Sequence, residues 1–171
     1  MRFMLFAILL AFVTVAPAAP NQYASVPGGV CKPAGQAATN PGTNFAAKAI
    51  GGRNEGTSNV FVICPFVLTP TPVEGGVVTE LNLSAYTLDG VTRPMTCTAV
   101  IGSLVRPTEP TYSSKTVSVS DASVFTWTPA DFNGASSSGG IVGSAWATVT
   151  CLVPAQTAVG LMYAKLNPTI P

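Results

Sequence analysis

The segment 140–154 shows the clearest alternation of apolar and polar positions in the chain. One parity is small and apolar and the other is mixed: the first holds Ala145, Ala147, Val149 and Cys151, the second Trp146, Thr148 and Thr150. A period of two predicts a β-strand with one face towards a core. If Cys151 points inward, Trp146 points outward.

Shorter alternating or apolar runs predict further strands. They cover residues 44–53 as a weak edge strand, 59–68, 77–88, 91–104, 115–120, 124–128 and 158–167. The run 59–68 is almost wholly apolar, which predicts a central strand buried on both faces, with a bend or an edge at Pro65. Asp89-Gly90 between two alternating runs predicts a type I′ hairpin, and Gly51-Gly52 predicts a turn.

The seven or eight short strands, spaced by turn signals and without a convincing helix after the N-terminus, predict the fold class. We expect an all-β protein: a single antiparallel β-sandwich with immunoglobulin-like or jelly-roll topology. The sandwich domain is expected over residues 31–171. Residues 19–30, with two prolines and two glycines, are expected to form an extended, partly mobile arm.

The first 18 residues have the pattern of a signal peptide. Arg2 is followed by an apolar run and by Ala16-Pro17-Ala18, the small residues that a signal peptidase reads. The apolar run is shorter than the roughly 20 residues that cross a bilayer, and no basic stop-transfer segment follows. We therefore expect cleavage after Ala18 and a secreted or periplasmic protein.

Charge is scarce in this chain and argues against several classes of partner. Charged residues make up 9% of the sequence, and removing Arg2 from the eight basic residues leaves seven basic and seven acidic. Nucleic-acid binding would require a basic stripe, and membrane-surface binding a basic amphipathic helix. We therefore expect no nucleic-acid partner and, after signal cleavage, no membrane association.

Four cysteines, Cys31, Cys64, Cys97 and Cys151, predict two disulfides in an exported chain. Three connectivities are possible, and the sequence alone does not choose among them. We favour Cys31–Cys64 and Cys97–Cys151, each stabilising by up to roughly 4 kcal/mol on chain-entropy grounds. A zinc site is disfavoured because the cysteines are widely spaced and the chain has no histidine.

The cysteines also lie in a recognisable frame. Cys31-Lys32-Pro33, Cys64-Pro65, Thr96-Cys97 and Cys151-Leu152-Val153-Pro154 follow one another along the chain. This frame resembles a group of small exported bacterial proteins with a "CKP…CP…TC…CxxP" pattern in a disulfide-bridged β-sandwich. The resemblance implies export and the fold, but no activity. The loop 129–140 and the low tyrosine count depart from the frame.

The residue types present in the sequence give little support to a catalytic function. Without histidine, Ser-His-Asp and Cys-His hydrolases are excluded. The few carboxylates each suit a turn or loop, so a glycosidase pair is not expected, and neither Ca²⁺ nor phosphate-loop spacing is present. We expect no enzyme, no catalytic residues, no cofactor and no metal.

Aromatic residues are the remaining candidates for a binding site. Trp127 shares a loop region with Asp131, Phe132 and Asn133, although core packing is the favoured role for this tryptophan. Trp146 is balanced between core packing and an outward platform on a threonine-lined sheet face. Tyr86, Tyr112 and Phe132 are further candidates for stacking on sugar rings.

Three functional hypotheses follow. The favoured one is an exported, non-enzymatic β-sandwich that binds a partner or is a structural surface component. The alternatives are a carbohydrate-binding module that uses Trp146, Trp127, Asp131 and Asn133, and a pilin-like or adhesin-like subunit whose apolar strand 159–166 adds to a neighbour's sheet. The partner is thus a glycan or a protein. Asn82-Leu83-Ser84 also matches an N-glycosylation sequon.

Overall fold

Two antiparallel sheets pack face to face in a computed structural model that describes residues 22–35, 44–66, 77–102, 110–134, 140–141 and 146–167. The six-stranded sheet contains β1 (Gln22–Pro27), β3 (Phe45–Lys48), β4 (Gly51–Asn54), β6 (Val77–Thr87), β9 (Ser123–Trp127) and β11 (Thr157–Asn167). The five-stranded sheet contains β2 (Lys32–Pro33), β5 (Val60–Phe66), β7 (Arg93–Gly102), β8 (Thr111–Val119) and β10 (Trp146–Val153). The predicted all-β sandwich is confirmed, and the predicted signal peptide lies outside the described residues.

Strands that are distant in the chain are neighbours in both sheets. The six-stranded sheet runs β3-β4-β11-β6-β9, and β1 pairs with β11 beside β4. The five-stranded sheet runs β2-β5-β10-β7-β8. Helical geometry in the described ranges is confined to short 3-10 turns such as Pro129–Asp131. No helix within these ranges is long and apolar enough to span a membrane.

The core lies between the sheets, where one parity of each long strand is buried. On β10 the buried positions are Ala147, Val149, Cys151 and Val153, as the alternation predicted. The largest fully buried side chains include Trp127, Phe66, Phe125 and Phe132. Burying apolar surface at about 25 cal/mol per Å² is the main favourable contribution to such a core.

The predicted disulfide connectivity is confirmed. Cys31 is bonded to Cys64, and Cys97 to Cys151. Cys97 and Cys151 are directly opposite each other on the paired strands β7 and β10. The Cys97–Cys151 disulfide therefore joins neighbouring strands of the five-stranded sheet on its buried face, and the other joins β5 to Cys31, the residue directly before β2.

The hairpin predicted at Asp89-Gly90 is wrong. The strand before it, β6, belongs to the six-stranded sheet, and the strand after it, β7, belongs to the other. A type I′ turn needs a positive φ at both central residues, but only Gly90 has one, at 73°. The segment is thus a crossing between the sheets.

Three further expectations are corrected by the strand pairing. The segment 59–68 is not buried on both faces, because β5 alternates buried and exposed residues along its whole length. Gly51-Gly52 begins strand β4 instead of forming the turn, which lies at Ala49-Ile50. The segment 22–27, expected in a mobile arm, is extended and hydrogen-bonded along β11 as an additional strand of the sandwich.

The last strand, β11, has no free edge to offer a neighbouring molecule. It pairs with β6 on one side and with β4 and β1 on the other. Addition of the segment 159–166 to another subunit's sheet, one of the hypotheses drawn from the sequence, is therefore excluded in this fold.

Candidate functional site

The outward parity of the five-stranded sheet forms a broad surface that no other layer of the described residues covers. We call it the open face. Its residues come from β5, β7, β8 and β10: Phe61, Ile63, Pro65, Pro94, Thr96, Thr98, Val100, Gly102, Tyr112, Ser114, Thr116, Ser118, Trp146, Thr148, Thr150 and Leu152. None of these residues carries a charge, and the nearest outward charge in the described part of this sheet is Lys32 on the edge strand β2.

Trp146 points outward, as expected from its parity opposite Cys151, and it lies at the start of β10. Its cross-strand partner on β7 is Gly102. A Cβ atom added to Gly102 would meet the Trp146 indole at atoms of both its rings, so the indole occupies the space above this glycine. The indole of Trp146 thus lies against the backbone of β7 at Gly102, and the side chain remains partly exposed.

Hydroxyl groups form a ladder across β7 and the edge strand β8, on one side of the open face. Thr96 Oγ1 and Thr116 Oγ1 are 2.8 Å apart, and Thr98 Oγ1 and Ser114 Oγ are 2.7 Å apart. Because each hydroxyl has one donor and two acceptor sites, these pairs retain hydrogen-bonding capacity towards solvent. The ladder therefore offers neutral donors and acceptors on a flat surface.

Aromatic and aliphatic side chains flank the ladder. Tyr112 on β8 is 63% exposed and is the cross-strand neighbour of Val100. At the other end of β10, exposed Leu152 faces exposed Phe61 on β5, and Ile63 lies two residues further along the same strand. The open face therefore combines apolar groups (rings and methyl groups) with hydroxyls over short distances.

Trp127, which the sequence placed among the candidate binding residues, is fully buried. Its ring stacks on Phe125 at a centroid distance of 5.9 Å, and its indole Nε1–H donates to the Ser113 carbonyl at 3.0 Å. No ring face is left for a ligand. The favoured interpretation as a core residue is confirmed, and Trp127 is removed from the candidate site. Phe132 is buried as well.

Asp131 has a structural role that accounts for its placement after β9. Its carboxylate accepts hydrogen bonds from the Thr128 backbone N–H at 2.7 Å and from Lys115 Nζ at 3.0 Å. Burial raises the pKa of Asp131, but the hydrogen bonds from Thr128 and Lys115 outweigh burial and hold this pKa below its ordinary value. A carboxylate committed to these partners is a poor ligand contact.

Asn133 lies at an exposed turn with a φ of 56°, a left-handed conformation that asparagine tolerates. Trp127 ends β9 of the six-stranded sheet and Asp131 and Asn133 follow it, whereas Trp146 lies on the outer side of the other sheet. The structure therefore does not bring the four candidate residues together. Only Trp146 among them belongs to the open face.

The described carboxylates are dispersed and form pairs with basic groups instead of converging. Four of them lie within 3.4 Å of a lysine or arginine nitrogen: Glu55 with Lys48, Asp89 with Arg93, Asp131 with Lys115, and Glu80 with Lys165. Among the residues that the structure describes, no group of three or more acidic or cysteine side chains could hold a metal ion. Asn82 of the sequon is only 2% exposed, so it is inaccessible to a glycosylating enzyme in the folded protein.

A shallow groove of about 360 Å³ lies on the outer side of the six-stranded sheet. It is lined by Pro27, Ala49, Ile50, Ser84, Tyr86, Gly160 and Leu161. Ser84 spans the bulge of β11 here, accepting from the Leu161 N–H at 2.6 Å and donating to the Leu161 carbonyl at 3.1 Å. The hydroxyl that borders this groove is thus used within the sheet.

The site residues predicted from the sequence include none from the apolar end of the open face, where Phe61 and Ile63 lie. Phe61 and Ile63 fall in the run 59–68, which contains almost no polar residue and therefore resembles a wholly buried strand. A signal is nevertheless present: Cys64 is on the buried parity through its disulfide, which places Phe61, Ile63 and Pro65 on the opposite, outward parity.

No family model and no curated protein matches this sequence. Among solved structures, the chain is similar to a family 11 carbohydrate-binding module of the cellulosomal cellulase Lic26A-Cel5E of Clostridium thermocellum, with 9% identity, a TM-score of 0.37, and 93% and 92% of the two chains covered. A solution structure of CtCBM11 shares 13% identity at a TM-score of 0.38, with 87% and 90% covered. These likenesses concern the β-sandwich architecture.

Proposed function

We propose that this chain is an exported, non-enzymatic binding protein whose ligand binds on the open face. The observation that carries the proposal is the position of Trp146 over Gly102, which places a partly exposed indole on the same sheet face as the threonine and serine hydroxyls. A large aromatic side chain on an uncovered surface is costly to expose and typical of recognition sites.

Export is supported by the N-terminal pattern and by the two disulfides, which are characteristic of proteins that fold in an oxidising compartment. The non-enzymatic role is supported by the dispersed, ion-paired carboxylates and by the lack of histidine in the sequence. A general acid or base needs a free titratable group next to the substrate. The open face contains no carboxylate, amine or thiol.

Hydroxyl-radical footprinting tests the proposal even while the ligand is unidentified. The oxidised protein is labelled once in purified form and once in place, in the envelope or medium of the cell that produces it. Protection of Tyr112 and Phe61 in place is the expected result. Tyr23 is the matched control, since it is 61% exposed but lies on the outer side of the other sheet. Equal labelling of Tyr112 in both samples would count against a ligand on the open face.

A further inference from the structure

The open face lacks charge, and this absence limits the chemistry of its ligand. Between β5 and β8, all sixteen of its residues are apolar or carry only a hydroxyl or an indole N–H as the polar side-chain group. Nucleic acids and acidic polysaccharides are held mainly by Lys and Arg, so a surface of this kind offers them little affinity. A ligand that suits the open face is neutral.

The open face is long enough for several units of a narrow chain. Strand spacing and rise give it a projected extent of about 27 Å by about 19 Å.

The arrangement of rings and hydroxyls narrows the ligand further. A sugar ring has an apolar face made of C–H groups and an edge of hydroxyls. Trp146 offers a ring for the C–H face. The hydroxyl pairs Thr96–Thr116 and Thr98–Ser114, whose oxygens are 2.8 Å and 2.7 Å apart, offer neutral donors and acceptors. A purely apolar ligand would leave the remaining donor and acceptor sites of these hydroxyls unused.

We infer that the open face binds a neutral polysaccharide, with Trp146 as the stacking platform and the Thr/Ser ladder of β7 and β8 as the hydrogen-bonding surface. This inference rests on the proposed function. Tyr112 lies across β7 from Trp146 and one outward position further along the strands, so it provides a second ring for the same chain. Phe61 and Leu152 extend the surface beyond the ladder.

Affinity electrophoresis in native gels tests the inference. The probes are soluble neutral polysaccharides (hydroxyethyl cellulose, mixed-linkage β-glucan, galactomannan, amylose and dextran), with alginate and polygalacturonate as acidic comparators. We expect retardation by at least one neutral polymer and not by the acidic ones. Trp146→Ala should weaken that binding about tenfold or more, the effect of removing a central aromatic anchor.

Matched variants separate a binding role of Trp146 from a structural one. Trp146→Tyr keeps a ring above Gly102 and should retain part of the binding, whereas Tyr112→Ala removes an exposed ring without opening the sheet. Tyr23→Ala on the opposite sheet should leave binding unchanged. Circular dichroism of each oxidised variant verifies the fold, and Tyr112→Ala keeps the test valid if Trp146→Ala does not fold.

The remaining outcomes discriminate between the inference and the proposed function. Retardation by acidic polymers alone, or binding that neither Trp146→Ala nor Tyr112→Ala reduces, overturns the inference. Self-association that Leu152→Ser abolishes, without polysaccharide binding, also overturns it but leaves the open face as a binding surface. The absence of polysaccharide binding together with no protection of Tyr112 in the footprint overturns both.

Discussion

Asn54 shows how a single buried amide connects the two sheets. It is fully buried at the end of β4 in the six-stranded sheet. Its Nδ2 lies within 3.0 Å of the carbonyl oxygens of Ser58, Val153 and Pro154, and its Oδ1 accepts from the Gly56 N–H at 3.1 Å. Val153 ends β10, so this side chain joins the sheets where their strands terminate.

Replacing Asn54 by alanine should be strongly destabilising. The change leaves buried backbone groups without partners, and we expect a loss of about 2–4 kcal/mol in the free energy of unfolding. Denaturant unfolding of the oxidised protein measures this. Asn59→Ala, at an exposed position nearby, is the control and should change stability by less than about 0.5 kcal/mol. Equal stability of both variants would contradict the role assigned to Asn54.

At the scale of elements, the crossing between β6 and β7 is organised by Asp89. Its carboxylate accepts two hydrogen bonds of 2.6 Å from Arg93 and one of 3.1 Å from the Val91 N–H. The side-chain hydrogen bonds from Arg93, followed by the Val91 N–H, lower the pKa of Asp89 from 3.8 to about 2. The ionised Asp89 carboxylate thus holds this crossing together through Arg93 and Val91, where the sequence had suggested a type I′ turn.

The pH dependence of this crossing has a definite sign. Because the folded pKa of Asp89 is depressed, its contribution to stability is fully present above pH 3.8 and is lost as pH falls through about 2. Arg93→Met should return the Asp89 pKa towards 3.8. Carboxyl NMR titration of both proteins checks this, and an unchanged Asp89 pKa in Arg93→Met would refute the assignment.

The sequence predicted most of the elements, but not which sheet each would join. Strands β7 and β10 could be predicted because burial in a strand repeats every second residue. The alternating apolar positions are Cys97, Ala99 and Ile101 on β7 and Ala147, Val149 and Cys151 on β10. The pairing of β6 with β11, which lie far apart in the chain, depends on packing over the whole molecule. The local signal at Asp89-Gly90 therefore predicted the wrong pairing.

The candidate site could be predicted only in part for the same reason. The outward direction of Trp146 follows from its parity relative to Cys151, and it was one of two alternatives that the sequence left open. Other residues of the open face, such as Gly102, Tyr112 and Phe61, come from three other strands, and their register is set by the sheet. Local composition makes Trp127 and Asp131 candidates as well, yet tertiary packing buries the first and pairs the second.

At the scale of the whole molecule, one side of the sandwich is closed by contacts between edge strands of different sheets. Lys115 on β8 donates to the Thr126 carbonyl of β9 at 2.6 Å and pairs with Asp131 at 2.9 Å. The Trp127 indole on β9 donates to Ser113 on β8. An inward-pointing lysine on an edge strand also disfavours edge-to-edge association.

The proposed function and its polysaccharide ligand both require that Trp146 faces solvent while Trp127 does not. Acrylamide quenching of the two single-tryptophan variants, Trp127→Phe and Trp146→Phe, measures this most directly in the oxidised protein. We predict that the fluorescence of Trp146 alone is quenched strongly and that of Trp127 alone only weakly, because Trp127 is fully buried. Equal, weak quenching of both indoles would contradict an open aromatic face and the binding role built on it.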